Sequence, residues 1–223
     1  MTHFKAILFD WDDTLVNSFP ARVAAAKVAA RGVLDPGLDL QRIMREWAGR
    51  PQMDIWRDLT GNEQKAKEML EDYRKWYWKE EAKFVRLFPG VREMLDQLKA
   101  KGFGLGVVTS KARLMPSEDG PYGAVIEMGR LGLDGTFDSV VGWEDAQKSK
   151  PAPEPILIMP EKLRLDPREV LMVGDSHIDV TTARRAGAPS AGAMWGTLAR
   201  DLVIKAGPDF IVESPSQLCT LLS

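Results

Sequence analysis

The chain has 223 residues, 44% hydrophobic and 28% charged, a globular composition with enough apolar material for one domain or for a core domain carrying a smaller insertion. Thirty basic residues against thirty-two acidic ones leave a formal net charge of −2, so no general electrostatic reason exists to bind nucleic acid or an anionic membrane. Cys219 is the single cysteine, which excludes an intrachain disulfide and a cysteine metal cluster, and no stretch approaches the ~20 apolar residues of a bilayer span.

The opening MTHFKAILFDWDD has an apolar stretch too short and too soon interrupted for a signal peptide, so a reduced, cytoplasmic setting is expected. Lys5 to Asp10 is a continuous apolar run of the kind that forms a strand buried on both faces. It ends by crowding Asp10, Asp12 and Asp13 into four positions, although charged side chains are rarely buried unless paired or bound to a metal. From about Asn17 to Phe88 the pattern is helical, with an alanine-rich PARVAAAKVAARG and a long amphipathic NEQKAKEMLEDYRKWYWKEEAKFVRLF and no convincing strand. Leu87 to Val91 marks the return to strand and helix alternation. Val91, Met94, Leu95 and Leu98 share a helix face that Gly102 stops. Strands are expected at 104–111, 138–142, 169–176 and 209–214, with a weaker one at 189–195. Helices fill PEPILIMPEKLRL, where Pro160 should bend or interrupt the helix, and SHIDVTTARRAGA, which ends at Gly187. Between them, ARLMPSEDGPYGAVIEMGRLGLDG at 112–135 places Gly and Pro where a plain helix is expected. Neither an internal repeat nor a low-complexity tract is present.

Strands alternating with helices predict an α/β fold: a doubly wound, parallel-sheet (Rossmann-like) core formed by 1–16 and 89–223, with an inserted all-helical cap domain at 17–88. In such sheets ligands bind beyond the carboxyl ends of the strands. Asp10, Asp12, Asp13 and Thr14 stand at the first of these ends, Thr109, Ser110 and Lys111 at the second, Asp175 and Ser176 at another with Asp179 next, and Lys150 follows the 139–141 strand. Carboxylates, a hydroxyl and a lysine on one edge suit phosphoryl chemistry, in which Mg²⁺ takes oxygen ligands while one carboxylate attacks phosphorus.

These residues resemble four motifs of the haloacid dehalogenase superfamily, in its helical-cap, phosphoglycolate-phosphatase-like branch. DxDxT matches Asp10, Asp12 and Thr14; GVVTSK ends a strand at Thr109; Lys150 precedes Pro151; GDSHID supplies Asp175 and Asp179. The resemblance covers essentially the whole chain. It implies a Mg²⁺-dependent phosphatase acting on a small phosphorylated metabolite through an aspartyl-phosphate. By it Asp10 is the nucleophile and Asp12 the general acid and base. Mg²⁺ is held by Asp10, the Asp12 backbone carbonyl and Asp175, with Asp179 as ligand or neighbour. Thr109 and Ser110 bind phosphoryl oxygens, and Lys150 balances charge. The second aspartate favours phosphate esters over the dehalogenase and phosphonatase branches. Asp13 departs from the pattern by standing where glycine is usual, and an extra carboxylate there could turn away and cap the following turn.

Lys148 competes with Lys150, the proline after Lys150 favouring the latter. His177 is expected as a loop residue at the cleft mouth and Trp11 as part of the wall. Arg50, in WAGRPQMD, is expected either to read a substrate anion or to be a solvated helix-end residue. Alternatives to hydrolysis are a phosphosugar mutase or phosphotransferase with the same motifs, and a non-catalytic binding protein on this fold. The oligomeric state stays open between monomer and homodimer.

Overall fold

A computed structural model describes residues 4–47, 50, 52–118 and 120–222. The chain resolves into two compact units, one holding the residues up to Asn17 and from Arg86 onward, the other Ser18–Val85.

The first unit begins with β1 (Ala6–Phe9), whose four residues are all buried, as the unbroken apolar run requires of a strand covered on both faces. A two-residue strand β2 (Val16–Asn17) follows, and the chain then passes into the helical unit. There, α1 (Phe19–Ala29) buries Ala21, Ala25, Ala26 and Ala29, small side chains that let a neighbouring helix approach closely. After α2 (Leu40–Glu46) and α3 (Gln52–Thr60) comes α4 (Glu63–Glu80), which buries Ala66, Met69, Tyr73 and Tyr77 at helical spacing and packs against α1 and α3. Asn62 caps α4 by accepting from the Lys65 N–H, and Trp56 of α3 packs on Tyr73 with ring centroids 6.1 Å apart. This unit therefore has its own core.

The chain returns through β3 (Arg86–Leu87), which pairs antiparallel with β2. β3 and the end of β2 lie in the stretch read from sequence as free of strands. Two residues per strand are too few to leave an alternating pattern. From there α5 (Val91–Ala100), β4 (Gly104–Val108), α6 (Ala124–Arg130), β5 (Ser139–Val141), α7 (Glu154–Leu163), β6 (Val170–Gly174), α8 (His177–Ala186), β7 (Ser190–Ala193), α9 (Arg200–Ala206), β8 (Phe210–Val212) and α10 (Pro215–Leu221) alternate as expected. The helix α7 runs through Pro160 without interruption. The missing N–H falls in its last turns, the proline is buried, and its carbonyl accepts from Leu165 N at 2.8 Å.

The sheet order is β5-β4-β1-β6-β7-β8, and each pairing within it is parallel. Phe9 stands beside Val107 on one side and Val173 on the other. The chain fills the β4–β5 side of β1 first and then crosses to β6, so the winding reverses at β1, the position where doubly wound sheets open a crevice. Beneath it, Ala6, Leu8, Val108, Ile156, Met159, Val170 and Met172 form a buried cluster shared by the sheet and α7. Burying each of the larger side chains in it is worth roughly 1.5–3 kcal/mol. This packing holds the three central strand ends in fixed register.

Candidate active site

Three of the sequence-predicted residues continue the central strands by one step. Asp10 follows β1, and its N–H donates to Val173 O at 2.9 Å; Thr109 follows β4 and donates to Val141 O at 2.9 Å. Asp175 follows β6. Their backbones are therefore fixed by the sheet ladder, and their side chains emerge at its carboxyl edge.

Lys150, after β5, reaches this edge from the loop before α7. Its ammonium donates to Asp10 Oδ1 at 2.7 Å, Asp179 Oδ1 at 2.6 Å and Val108 O at 3.2 Å, with the side chain only 4% exposed. Lys148 is exposed, which leaves Lys150 as the lysine at the carboxylates. Asp179 is oriented from the other side by a capping box at the start of α8, where its Oδ2 accepts from Ser176 Oγ at 2.6 Å and from Ser176 N at 3.2 Å. Gly174 permits this approach, because a Cβ there would lie 2.4 Å from both Cβ and Cγ of Asp179. Thr14 Oγ1 donates to Asp175 Oδ1 at 2.9 Å, and the Thr14 carbonyl accepts from Trp195 Nε1 at 2.8 Å. One carboxylate oxygen from each of Asp10, Asp175 and Asp179 lies within 4.8 Å of the others. An all-oxygen set of this size suits a hard divalent cation.

Electrostatics point the same way. Burial pushes the Asp10 carboxyl up to about 7; Lys150 opposes the shift, and Asp179 and Asp12 add to it. Asp175 is held well above the usual carboxylate range by burial and then by Asp13, Asp10 and Asp179. For Lys150, burial favours the neutral amine, but Asp10 and Asp179 outweigh it and raise its pKa. Among the described residues, the carboxyls of Asp10, Asp12, Asp13, Asp175, Asp179 and Glu127 share this edge with the ammonium groups of Lys150 and Lys111. An edge so rich in carboxyls suits a further cation.

The structure adds Glu127, which the sequence did not single out, and gives contacts to Lys111 and Trp11. Lys111 donates to Asp12 Oδ1 at 3.0 Å and to Glu127 at 2.9 Å and 2.8 Å, and Trp11 Nε1 donates to Glu127 Oε2 at 2.6 Å. Burial alone would lower the pKa of Lys111, yet Asp12 and Glu127 leave it raised. Trp11 thus does more than form a wall. The one available signal for Glu127 was its position on the buried stripe Ala124, Glu127 and Met128 of α6, where an acid is out of place. Asp13, for which turning away to cap the next turn was one option, is buried, at a φ of 61° that explains why glycine suits this position, and its carboxyl raises the pKa of Asp175. The expected loop residue His177 is the first residue of α8.

Two further expected residues, Ser110 and Arg50, lie outside the carboxylate cluster. Ser110 is exposed beyond the buried Thr109, whose Oγ1 accepts from Lys111 N at 3.1 Å. Arg50 belongs to the helical unit, where it pairs with Asp58 and stands over the Trp47 ring at 4.6 Å from its centroid.

Comparison with known proteins gives a consistent answer. The family model for haloacid dehalogenase-like hydrolases matches residues 7–193. A pyrophosphatase PpaX of Bacillus velezensis is 31% identical over 215 residues, covering 96% of this chain and 94% of that protein. A phosphoglycolate phosphatase of Haemophilus influenzae is 30% identical over 233 residues, covering 99% of each. The crystal structure of a predicted phosphoglycolate phosphatase from Haemophilus somnus superposes with a TM-score of 0.85 at 27% identity, covering both chains in full.

Proposed function

The chain belongs to the haloacid dehalogenase-like hydrolases, a phosphatase of that family, and on this premise we propose that it hydrolyses a small phosphorylated metabolite through a phosphorylated Asp10. The observation that carries the reading is the buried cluster in which Lys150 joins Asp10 to Asp179 with Asp175 alongside.

The carboxylates of Asp10, Asp175 and Asp179, together with the backbone carbonyl of Asp12, would hold Mg²⁺. Bound there, Mg²⁺ supplies positive charge to the phosphoryl oxygens and keeps the ligating carboxylates ionised. Lys150 fixes the Asp10 carboxylate and shares that charge load, while Thr109 and Ser110 hydrogen-bond phosphoryl oxygens. An Asp10 oxygen attacks phosphorus as the bond from phosphorus to the ester oxygen breaks, and Asp12 gives its proton to the departing alkoxide. The Asp12 carboxylate then takes a proton from water, whose oxygen attacks the aspartyl-phosphate. The bond between phosphorus and Asp10 breaks, phosphate leaves, and both aspartates are restored. The helical unit Ser18–Val85 is the cap that selects the leaving group.

Phosphoglycolate is the first substrate to try, and the relative named as a pyrophosphatase makes pyrophosphate the second. The test is Mg²⁺-dependent phosphate release across phosphoglycolate, pyrophosphate and sugar phosphates, with Asp10→Asn beside the wild type. Metal-dependent release abolished by the substitution is expected. Turnover that appears only with a bisphosphate activator would mark a mutase, and none at all in a folded, Mg²⁺-binding protein would overturn hydrolysis.

A further inference from the structure

The segment between β4 and β5 brings one side chain to the reaction edge that the four motifs do not explain. Residues Met115 and Tyr122 bridge to each other, and α6 follows from Ala124, directing Glu127 inward until its side chain is 2% exposed. Glu127 meets the Lys111 ammonium with both oxygens and the Trp11 indole with one, and Lys111 in turn meets Asp12. Because Trp11 and Asp12 are joined by a peptide bond, these contacts close a ring: Asp12, Lys111, Glu127, Trp11 and back to Asp12.

A buried ion pair is a poor means of gaining stability, since apolar side chains of like volume serve as well or better. A lysine on its own has a flexible stem and would sample several positions near Asp12. Glu127 removes that freedom, and Trp11, itself fully buried, removes the freedom of Glu127. We infer that Glu127 and Lys111 are positioning residues for Asp12, holding its carboxyl where it exchanges a proton with the departing alkoxide and then with water. The inference rests on the reading of Asp12 as the acid of the first step. It gives the 112–135 segment a role in that step: the segment delivers the residue that anchors the lysine.

The test contrasts two esters. An alkyl phosphate needs its leaving oxygen protonated, whereas p-nitrophenolate leaves without help, and kcat/KM reports the step in which the ester bond breaks. Glu127→Gln keeps the shape but offers a single acceptor oxygen, and turns an amide N–H toward the donors of Trp11 or Lys111. In the whole 223-residue chain with Mg²⁺, Glu127→Gln should lose about a hundredfold in kcat/KM for the alkyl ester, the size of a general-acid contribution, with KM little changed. On p-nitrophenyl phosphate it should stay close to wild type. Equal losses on both esters, or no loss on either, overturn the inference. Trp11→Phe removes the indole donor, together with part of a buried ring, and should show a weaker form of the same contrast between the two esters, which decides the matter if Glu127→Gln does not fold. Asp12→Asn separates the two levels of argument: if it still turns over the alkyl ester, the acid reading itself fails, whatever Glu127→Gln does.

Discussion

Lys150 carries two obligations at once, as the partner of two buried carboxylates and as the cation nearest the nucleophile. Lys150→Met keeps the length and removes the charge, leaving Asp10 and Asp179 to repel each other in a site with little water. Breaking a buried ion pair from one side costs roughly 3–5 kcal/mol, so a urea midpoint well below wild type is expected at pH 8. At pH 5 the loss should be smaller, because Asp10, held up to about 7 by burial, is then mostly protonated. The same shift fixes the sign of a second prediction. A carboxyl whose folded value lies above its unfolded value of ~3.9 contributes stability below the unfolded value and loses it as pH rises through the folded one. Metal-free wild type should therefore weaken between pH ~4 and ~7 in a way that Asp10→Asn, which cannot ionise, does not. The melting temperature of Asp10→Asn relative to wild type should climb from pH 5 to pH 8, and saturating Mg²⁺ should erase the climb. A difference that stays constant with pH would refute the burial argument for Asp10.

At the scale of elements, the site depends on how closely α8 meets the end of β6. In Gly174→Ala the new methyl would stand 2.4 Å from both Cβ and Cγ of Asp179, and because Cβ is fixed to its backbone the clash is relieved by a shift of α8. Overpacking of this kind costs about 1–3 kcal/mol, and here it also moves Asp175 and Asp179. The variant should lose Mg²⁺-induced stabilisation by a larger factor than Ser176→Ala, which removes a cap worth about 1 kcal/mol but leaves room for Asp179 to remain. If Gly174→Ala keeps the full Mg²⁺ response, the close packing does not set the metal site. This dependence on single contacts explains what could be read in advance. Buried strands such as Ala6–Phe9 and Val170–Gly174 announce themselves because each residue must be apolar, and the carboxylates, threonine and lysine follow from standing at their ends. The strands β2 and β3 left no pattern because they are two residues long. The contacts of Glu127 were hidden for another reason: its partners Trp11 and Lys111 lie 116 and 16 residues away, and only the fold brings them together. Asp13 shows the same limit, since turning outward and staying buried are equally compatible with an extra acid after a strand.

For the whole molecule, the division into two units with separate cores has a thermodynamic consequence. The chain crosses between them at Asn17–Ser18 and Val85–Arg86, and the antiparallel β2–β3 pair ties the two crossings together on the sheet side. All of the carboxylates that would hold a divalent ion belong to the sheet unit, while Trp56, Met69, Tyr73 and Tyr77 make the helical unit's core without them. A ligand that binds only the native state stabilises by RT ln(1 + [L]/Kd), about 2.7 kcal/mol at a hundred times Kd, and it acts only on the cooperative unit that contains its site. For a domain of 150–250 residues each kcal/mol moves the midpoint by roughly 2–4 °C. In calorimetry, Mg²⁺ at that excess should raise the sheet unit's transition by about 5–10 °C and leave a transition of the helical unit where it was. Substituting Asp175 by Asn should abolish the shift without touching the helical transition. A single transition that moves as a whole would show that the two units melt as one cooperative body, and that closure of the β2–β3 stem is strong enough to couple their cores.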